Sequence, residues 1–564
     1  MPLLLPLFVG IRSGERATDT EDGEQERRED EEEKERSCDM ETGSVGRTAQ
    51  QWTVTKERVP MQIIFASLSF PLWLRLAHYI NLLFVGLLIR SGVEILGAHP
   101  RFYWNDGCTP GSEWIKFTKK VVPTEPGVIY TGREEEMAIS PLLALPGKKN
   151  LGLGRHWHGV SNIFWLLNGI IYVILLFTTG EWARLIPTAW SIFPGAWHAL
   201  VTYLHFQVPP LADFRPYDPL QQLTYAFVVF VLGPAMLLTG IAMSPAIAAS
   251  APWYIKLFGG RQVARSLHFL SMAMFAVFVI LHVTLVLVVH FRENIGNIVL
   301  GTPNGHFRLA VAIAIIALLI VLAIYIWTSW YSLHHKRRVQ IALDHIEAPV
   351  RKIALHNMAS GQHYRESDIS PYLWVNGASP GGEESPEFVA LANGGFRDWR
   401  LDVGGLVKQP LSLSLDDVRA MASQVQITKH NCVQGWSGVG KWKGVNLTDI
   451  LDLCQPLPAA RYVKFTSYGL DQFTYGGKPR RPFYEVIDML LATHPQTILA
   501  YELNDALLPL LYGAPLRLRV ETQLGYKMVK YLRSIELIAE YHTAGDGQGG
   551  SREDTMYYGR GAEI

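Results

Sequence analysis

The chain has 564 residues, 49% of them hydrophobic and 16 of them tryptophan, with 51 Lys and Arg balanced by 51 Asp and Glu. A net charge of zero offers no bulk field for nucleic acid. Its four cysteines, Cys38, Cys108, Cys432 and Cys454, form no C-x-x-C pair, which argues against zinc ribbons, iron–sulfur clusters and a disulfide framework.

Residues 1–60 hold a short apolar piece, residues 2–11, and then the run Glu21-Asp-Gly-Glu-Gln-Glu-Arg-Arg-Glu-Asp-Glu-Glu-Glu-Lys-Glu-Arg36. The piece is too short to cross a bilayer, and the run has too little apolar surface to offset its ordering entropy. Residues 1–60 are therefore expected to be a disordered extension, with Met61 the more natural start.

Residues 61–340 read as an all-α membrane bundle of about five spans, near 72–96, 157–179, 223–243, 264–290 and 309–331, each long and apolar enough to cross hydrocarbon. A long aromatic loop, 97–156, follows the first span and is expected to fold over the membrane surface. Ionisable groups inside spans are costly and are functional suspects by default. The suspects are His78, the pair His156 and His158, and His268 and His282 in the fourth span. His268 and His282 are fourteen residues apart, nearly four turns, so they share a helix face about 21 Å apart along the axis. Call the side where the first span begins A and the other side B. Threading the spans then places His78 with His282 near A, and His158, or alternatively His156, with His268 near B. Two pairs matched in depth suit bis-histidine ligation of two haems. His198, His205 and His290 are read as surface or interfacial. The arrangement resembles the di-haem cytochrome b membrane subunits of nickel–iron hydrogenases and formate dehydrogenases, and so implies two haem b and exchange with quinone.

Side B carries Arg90, Lys148, Lys149, Arg155, Lys256, Arg261, Arg265, Lys336, Arg337 and Arg338 near span ends, and side A carries Arg58, Arg75, Arg184, Arg215, Arg292 and Arg308. The excess places B, and the domain after the fifth span, on the cytoplasmic face of a bacterial inner membrane.

After a linker, residues 341–371, a mixed α+β domain is expected over 372–543, with a flexible tail at 544–564. It opens with Tyr372-Leu-Trp-Val-Asn-Gly377 and continues through Trp399-Arg-Leu-Asp-Val-Gly-Gly-Leu-Val407 to a short helix from Leu415, with Asp416 and Asp417 in its first turn. Then comes Thr428-Lys-His-Asn-Cys-Val-Gln-Gly-Trp-Ser437, which puts Cys432 after a β-type run and before a glycine turn, where a thiolate can reach a soft redox metal. Farther on stand Gly513-Ala-Pro-Leu-Arg517 and Gly525-Tyr-Lys-Met-Val-Lys530. Arg517 offers a fork of donors for a phosphate, Lys527 and Lys530 add point charge, and Gly525 lets the backbone approach a ligand.

Cys432-Val-Gln-Gly-Trp-Ser437 and the segments around it resemble the sulfite oxidase family of molybdenum enzymes, most closely its bacterial branch, from about Tyr372 to Tyr541. The resemblance implies that Cys432 ligates molybdenum and that Asn376, His430, Arg517, Gly525, Lys527 and Lys530 line or hold the molybdopterin. Eukaryotic members place an arginine shortly before the asparagine near the active site, whereas Asn376 follows Leu373-Trp-Val375, which puts sulfite itself in doubt. Lys429, His430, Arg480 and Arg481 are the other candidates to hold an anion. Cytoplasmic insertion of the cofactor agrees with side B being cytoplasmic, whereas many bacterial relatives are periplasmic. The reading is a membrane-bound molybdopterin-dependent oxidoreductase. It couples oxygen-atom transfer on a small-molecule substrate to haem b and the quinone pool, in either direction. The alternative is a membrane electron-transfer protein whose soluble domain lacks molybdenum.

Overall fold

The computed structural model describes residues 69–556, apart from 124–129, 209–216, 245–246, 248–250, 304, 355–360, 378 and 473–478. The expected disordered extension, 1–60, lies outside the described residues.

Five helices are long and apolar enough to cross a membrane: α1, Leu72–Ala98; α2, Leu151–Thr178; α3, Pro219–Ala242; α4, Arg261–Val288; and α5, Phe307–His334. Each contains one of the spans read from hydropathy, or nearly all of it, and the protein is a multi-pass membrane protein. Helix α3 starts earlier than expected, because Asp218 accepts from the Gln221 N–H in a capping box and Pro219 takes the first helical position. One π turn, Val228–Leu232, interrupts α3 just before Gly233 and Pro234. Proline has no N–H for the i→i−4 ladder, and a widened turn accommodates that loss.

Helix α5 runs on into α6, Lys336–Ala354. Residues 341–354, expected as linker, are helical instead. The reason is an apolar stripe: Val339 and Leu343, four residues apart, bury against Leu153 and Val160 of α2. The loop between α1 and α2 carries a two-strand ladder, β1, Arg101–Phe102, against β2, Ile115–Lys116. It does not simply cover the membrane surface. Trp374 Nε1 donates to the Cys108 carbonyl at 2.8 Å, and the Gly132 N–H donates to the Val375 carbonyl at 3.0 Å. The loop is thus a layer between the bundle and the C-terminal domain, and the described residues between 69 and 556 belong to one compact unit.

The C-terminal domain is two five-stranded sheets. One runs β4 (Leu411–Ser414), β3 (Arg400–Gly405), β12 (Leu532–Ile538), β7 (Tyr462–Leu470), β8 (Pro482–Asp488); the other runs β10 (Ala506–Leu507), β9 (Ile498–Leu503), β6 (Ser437–Asn446), β5 (Ser423–Asn431), with β11 (Arg517–Arg519) also on β9. Pairing is antiparallel except between β12 and β3. One apolar core joins them, including Trp399, Leu401, Val445, Phe465, Leu499, Leu518 and Ile535. Two short helices, α7 (Leu415–Ala420) and α8 (Leu447–Cys454), add Leu415, Val418, Ile450 and Cys454 to that core. The domain is the expected mixed α+β fold.

Residues 544–556, expected to trail freely, are packed down. Tyr484 donates from its backbone to Ser551 Oγ at 2.9 Å and from its hydroxyl to Asp554 at 2.5 Å, and Gly550 bridges to Glu485. The remainder of that tail, 557–564, lies outside the described residues.

Trp399 is fully buried, and its indole N–H donates to the Leu532 carbonyl at 3.0 Å. Trp399→Ala is expected to cost about 3–5 kcal/mol, read as a lower thermal midpoint of the full-length protein in detergent.

Candidate functional site

Strands β5 and β6 form a hairpin whose last rungs are His430 with Gly438 and Asn431 with Ser437. Residues 432–436 are therefore its tip. The turn closes through Cys432 N–H to the Trp436 carbonyl at 3.0 Å and Gly435 N–H to the Cys432 carbonyl at 3.1 Å, with Gly435 at φ +115°. That backbone conformation is why a glycine stands there.

Cys432 is buried, and two amide side chains meet its sulfur. Asn376 Nδ2 donates to Sγ at 3.3 Å, and Sγ lies 3.6 Å from Gln434 Oε1. Gln434 is itself held, its Nε2 donating to Glu136 at 2.8 Å and its Oε1 accepting from Trp436 Nε1 at 3.2 Å. Burial pushes the Cys432 thiol up to about 12. As a bare side chain it keeps its proton, and a strong Lewis acid is what makes it a thiolate.

Asn376, which bonds the sulfur, and Trp436 also line a cleft with a cavity of about 120 Å³, together with His430, Arg517, Gly525 and Lys530. Gly525 is required for its shape, because a Cβ there would sit 2.2 Å from His430 Nε2. Arg519 Nη1 donates to His430 Nδ1 at 2.9 Å, and burial followed by the neighbouring Arg519 holds the imidazole well below its usual pKa. The ring is neutral, and with Nδ1 accepting, Nε2 carries the proton.

Arg517, which is buried, and Lys530, which is half-buried, are cations whose hydrogen bonds go to carbonyls: Arg517 Nη1 to Tyr512 at 2.8 Å, and Lys530 Nζ to Asn376 and Leu511, both at 2.8 Å. Arg517 Nε is buried with no hydrogen-bond partner among the described residues. Burial, then Arg519, brings Arg517 down to about 9; burial, then Arg517, brings Lys530 down to about 7. Two cations without a carboxylate partner among the described residues suit an anionic ligand, and the residues present fit a phosphate-bearing cofactor.

Lys527 does not belong to this set. Its ammonium lies 2.8 Å from Glu485 and 2.6 Å from Glu553, all three buried, and those carboxylates raise its pKa against the burial penalty. The expected cofactor role is corrected: Lys527 faces away from the cleft, into the fold that anchors residues 544–556. Lys429, Arg480 and Arg481 are also committed elsewhere, to Asp106, Glu384 and Asp546 respectively. Of the four alternative anion holders, only His430 lines the cleft. Sequence reading missed Arg519, Gln434 and Arg552. Arg519 was detectable, since it lies two residues from Arg517 on β11, and both stack on Trp442 at 5.0 and 4.2 Å.

In the bundle, the imidazole centres of His78 and His282 are 6.1 Å apart, and those of His158 and His268 are 6.4 Å apart. Two imidazoles bound to one metal at about 2.0–2.1 Å each put their ring centres about 6 Å apart. The Nδ1 atoms are engaged: His158 with Ser91 Oγ at 3.0 Å, His282 with Tyr225 Oη at 3.2 Å, and His268 with the Met236 carbonyl at 3.0 Å. A carbonyl only accepts, so His268 Nδ1 is the protonated nitrogen and Nε2 keeps its lone pair for a ligand bond. Of the two alternatives it is His158 whose ring stands opposite His268, whereas the His156 Nδ1 lies 2.6 Å from Glu347 Oε2 on α6.

Comparisons with known proteins place two families along the chain. Residues 390–544 match the oxidoreductase molybdopterin binding domain family, and residues 69–301 match the prokaryotic cytochrome b561 family. A sequence of Azospira oryzae, provisionally described as protein-methionine-sulfoxide reductase subunit YedZ1, is 38% identical over 28% of this chain and 54% of its own length. The protein-methionine-sulfoxide reductase catalytic subunits MsrP of Campylobacter jejuni and Xanthomonas axonopodis are 32% and 38% identical, over 27% and 25% of this chain and 53% and 45% of their own lengths. The chain thus spans about half the length of these curated relatives.

A ligand anion raises the Lys530 pKa from about 7, so binding takes up a proton above that pH. In cofactor-free protein, pyrophosphate is expected to bind progressively more weakly above pH 7.5, by up to about tenfold per unit. Calorimetric titration at several pH values checks this, and Lys530→Met should flatten the dependence.

Proposed function

We propose that this chain, in which a molybdopterin-binding oxidoreductase domain is joined to a cytochrome b561 domain, is a membrane-bound enzyme that reduces a sulfoxide with electrons from quinol. The observation that carries the reading is Cys432 bonded to Asn376 of a cleft that also holds two cations, Arg517 and Lys530, with no carboxylate partner among the described residues. The direction and the sulfoxide come from the names of the relatives. They agree with the lining ahead of Asn376: Leu373, Trp374 and Val375 present an apolar wall where an arginine would favour an anion such as sulfite.

Reduction of one sulfoxide consumes two electrons and two protons and yields a sulfide and water. A quinol supplies both on becoming a quinone. When bound, the molybdenum cofactor supplies oxygen-atom transfer and haem supplies one-electron carriage. The chain's own residues do the rest. Arg517 and Lys530 hold the anionic end of the cofactor, and Cys432 offers its sulfur to the metal. Asn376 orients that sulfur by its amide, and His430 presents the Nε2 proton to the cleft. His78 with His282, and His158 with His268, hold two haem b.

For orientation, Arg90, Arg155, Arg261 and Arg265 keep their charge but are held within the fold, so the exposed cations are counted apart from them. Each is spent on backbone carbonyls, such as Arg90 on Tyr325 and Pro141 and Arg265 on His99 and Arg101. Among the described residues, Lys148, Lys149, Lys256 and Arg338 remain exposed on side B, against Arg292 and Arg308 on side A. The smaller excess still favours the soluble domain on the cytoplasmic face of a bacterial inner membrane.

Metal and haem analysis of the detergent-purified protein tests the reading, with about one molybdenum and about two haems per chain expected. His78→Ala and His158→Ala should each lower the haem count to about one. Cys432→Ser should keep the haem spectrum and lose sulfoxide turnover by more than the roughly 10–100-fold that loss of an outer partner costs. Haem without molybdenum, in a host that loads other molybdoenzymes, favours an electron-transfer protein instead.

A further inference from the structure

The tip of the β5–β6 hairpin is seated on the membrane helices. Arg155 Nη2 of α2 donates to the Val433 carbonyl at 2.7 Å. Arg261 Nη1 and Gln262 Nε2 of α4 donate to the Gly435 carbonyl at 3.0 and 2.9 Å, and Gln262 Nε2 also reaches Ser437 Oγ at 3.0 Å. Arg261 is tied at its other end, Nε donating to the Met243 carbonyl at 2.8 Å. A second link runs through the loop after α1. Lys429 of β5 is 2.8 Å from Asp106 Oδ2, and Asp106 Oδ1 accepts from the Gln262 backbone N–H at 2.8 Å. Arg261 and Gln262 are buried, so these bonds are shielded from water.

The same two helices carry one histidine pair. His158 follows Arg155 by three residues, about 4.5 Å of rise, and His268 follows Arg261 by seven, about 10.5 Å. An α-helix is a rigid spacer over two turns. The backbone on either side of Gln434, two residues beyond Cys432, is therefore indexed to both imidazoles through α2 and α4. By contrast, His78 and His282 lie several turns farther along their helices, toward side A.

We propose that Arg155, Arg261 and Gln262 are positioning residues that lock the Cys432 turn onto the helices bearing His158 and His268. The metal site and the nearer haem site then keep one separation, and electrons pass within the chain without domain movement or a diffusing carrier. The inference rests on the reading of Cys432 and of the histidine pairs given above. Haem held by these histidine pairs would supply one-electron carriage, so that the two electrons a quinol gives up reach each sulfoxide one at a time.

The test uses full-length protein and two conservative variants that remove donors but keep volume, Arg155→Met and Gln262→Leu, with Arg261→Lys as a milder third. Three readouts are compared with wild type: molybdenum and haem per chain, amide hydrogen exchange of residues 432–437, and electron delivery. Delivery is measured as single-turnover reoxidation of pre-reduced haem by a sulfoxide, beside steady turnover driven by a dye that reduces the metal site directly. The expected result is unchanged cofactor content, faster exchange in the turn, dye-driven turnover within about twofold of wild type, and haem reoxidation slowed about tenfold or more. Equal loss in the dye-driven and haem-driven rates would overturn the proposal, since the clamp would then only shape the active site. So would unchanged haem reoxidation. If wild-type protein lacks molybdenum or haem, the functional reading fails by itself, and unaltered exchange at 432–437 in the variants would sink the clamp as well.

Discussion

A backbone turn cannot be buried with its carbonyls unpaired, and that constraint organises the centre of this molecule. The Cys432 turn lies between two domains with no sheet neighbour at its tip. Its Val433 and Gly435 carbonyls point toward the bundle, and Arg155, Arg261 and Gln262 meet them. Arginine suits the task because it stays charged when buried and its fork can hold two acceptors at once, as Arg261 does between Met243 and Gly435. The loop after α1 completes the joint. Burial alone would raise Asp106, and the Lys429 ammonium with the Gln262 N–H more than reverses that, so the carboxylate stays ionised between a strand of one domain and a helix of the other.

Around this joint, polar groups are either fully engaged or conspicuously left over. Lys527 sits between two glutamates, and Arg519 is fully buried against Glu521 while it orders His430. Those are structural charges, each balanced inside the protein. Among the described residues Arg517 and Lys530 are not balanced, and they face the cleft. The contrast separates residues that hold the fold from those proposed above to hold a ligand. Basic character in the motif did not make that distinction, since Lys527 and Lys530 are three residues apart and look alike in the chain.

The bundle follows the same logic in a drier setting. Four imidazoles are set at two depths, and at three of them Nδ1 is engaged by Ser91, Tyr225 or the Met236 carbonyl, which leaves Nε2 for a ligand. His156, two residues from His158, takes a different partner: it points to α6 and meets Glu347. The helix that supplies Glu347 was read as linker, because its apolar stripe is short and gains its meaning only against α2.

Much of this was legible in the chain alone. Hydrophobic length marks a span wherever it occurs, since the bilayer imposes one thickness on every helix, and helix periodicity with span direction sorted His78, His158, His268 and His282 into their pairs. The Cys432 turn and the mixed sheet domain were also local in pattern, and they stand as expected. Three things were not local. Whether a lysine meets a cofactor or a glutamate depends on Glu485 and Glu553, which lie 42 and 26 residues away in sequence. Whether residues 544–556 are tail or structure depends on Tyr484 and Glu485. Whether side-B arginines are topological charge or fasteners depends on carbonyls more than 170 residues distant, such as Gly435 for Arg261 and Gln262. Period and length are properties of the chain, so sequence determined the spans, the histidine pairs and the cysteine turn. The partner of a buried charge is set by which distant segment folds beside it, and only the tertiary structure decides that.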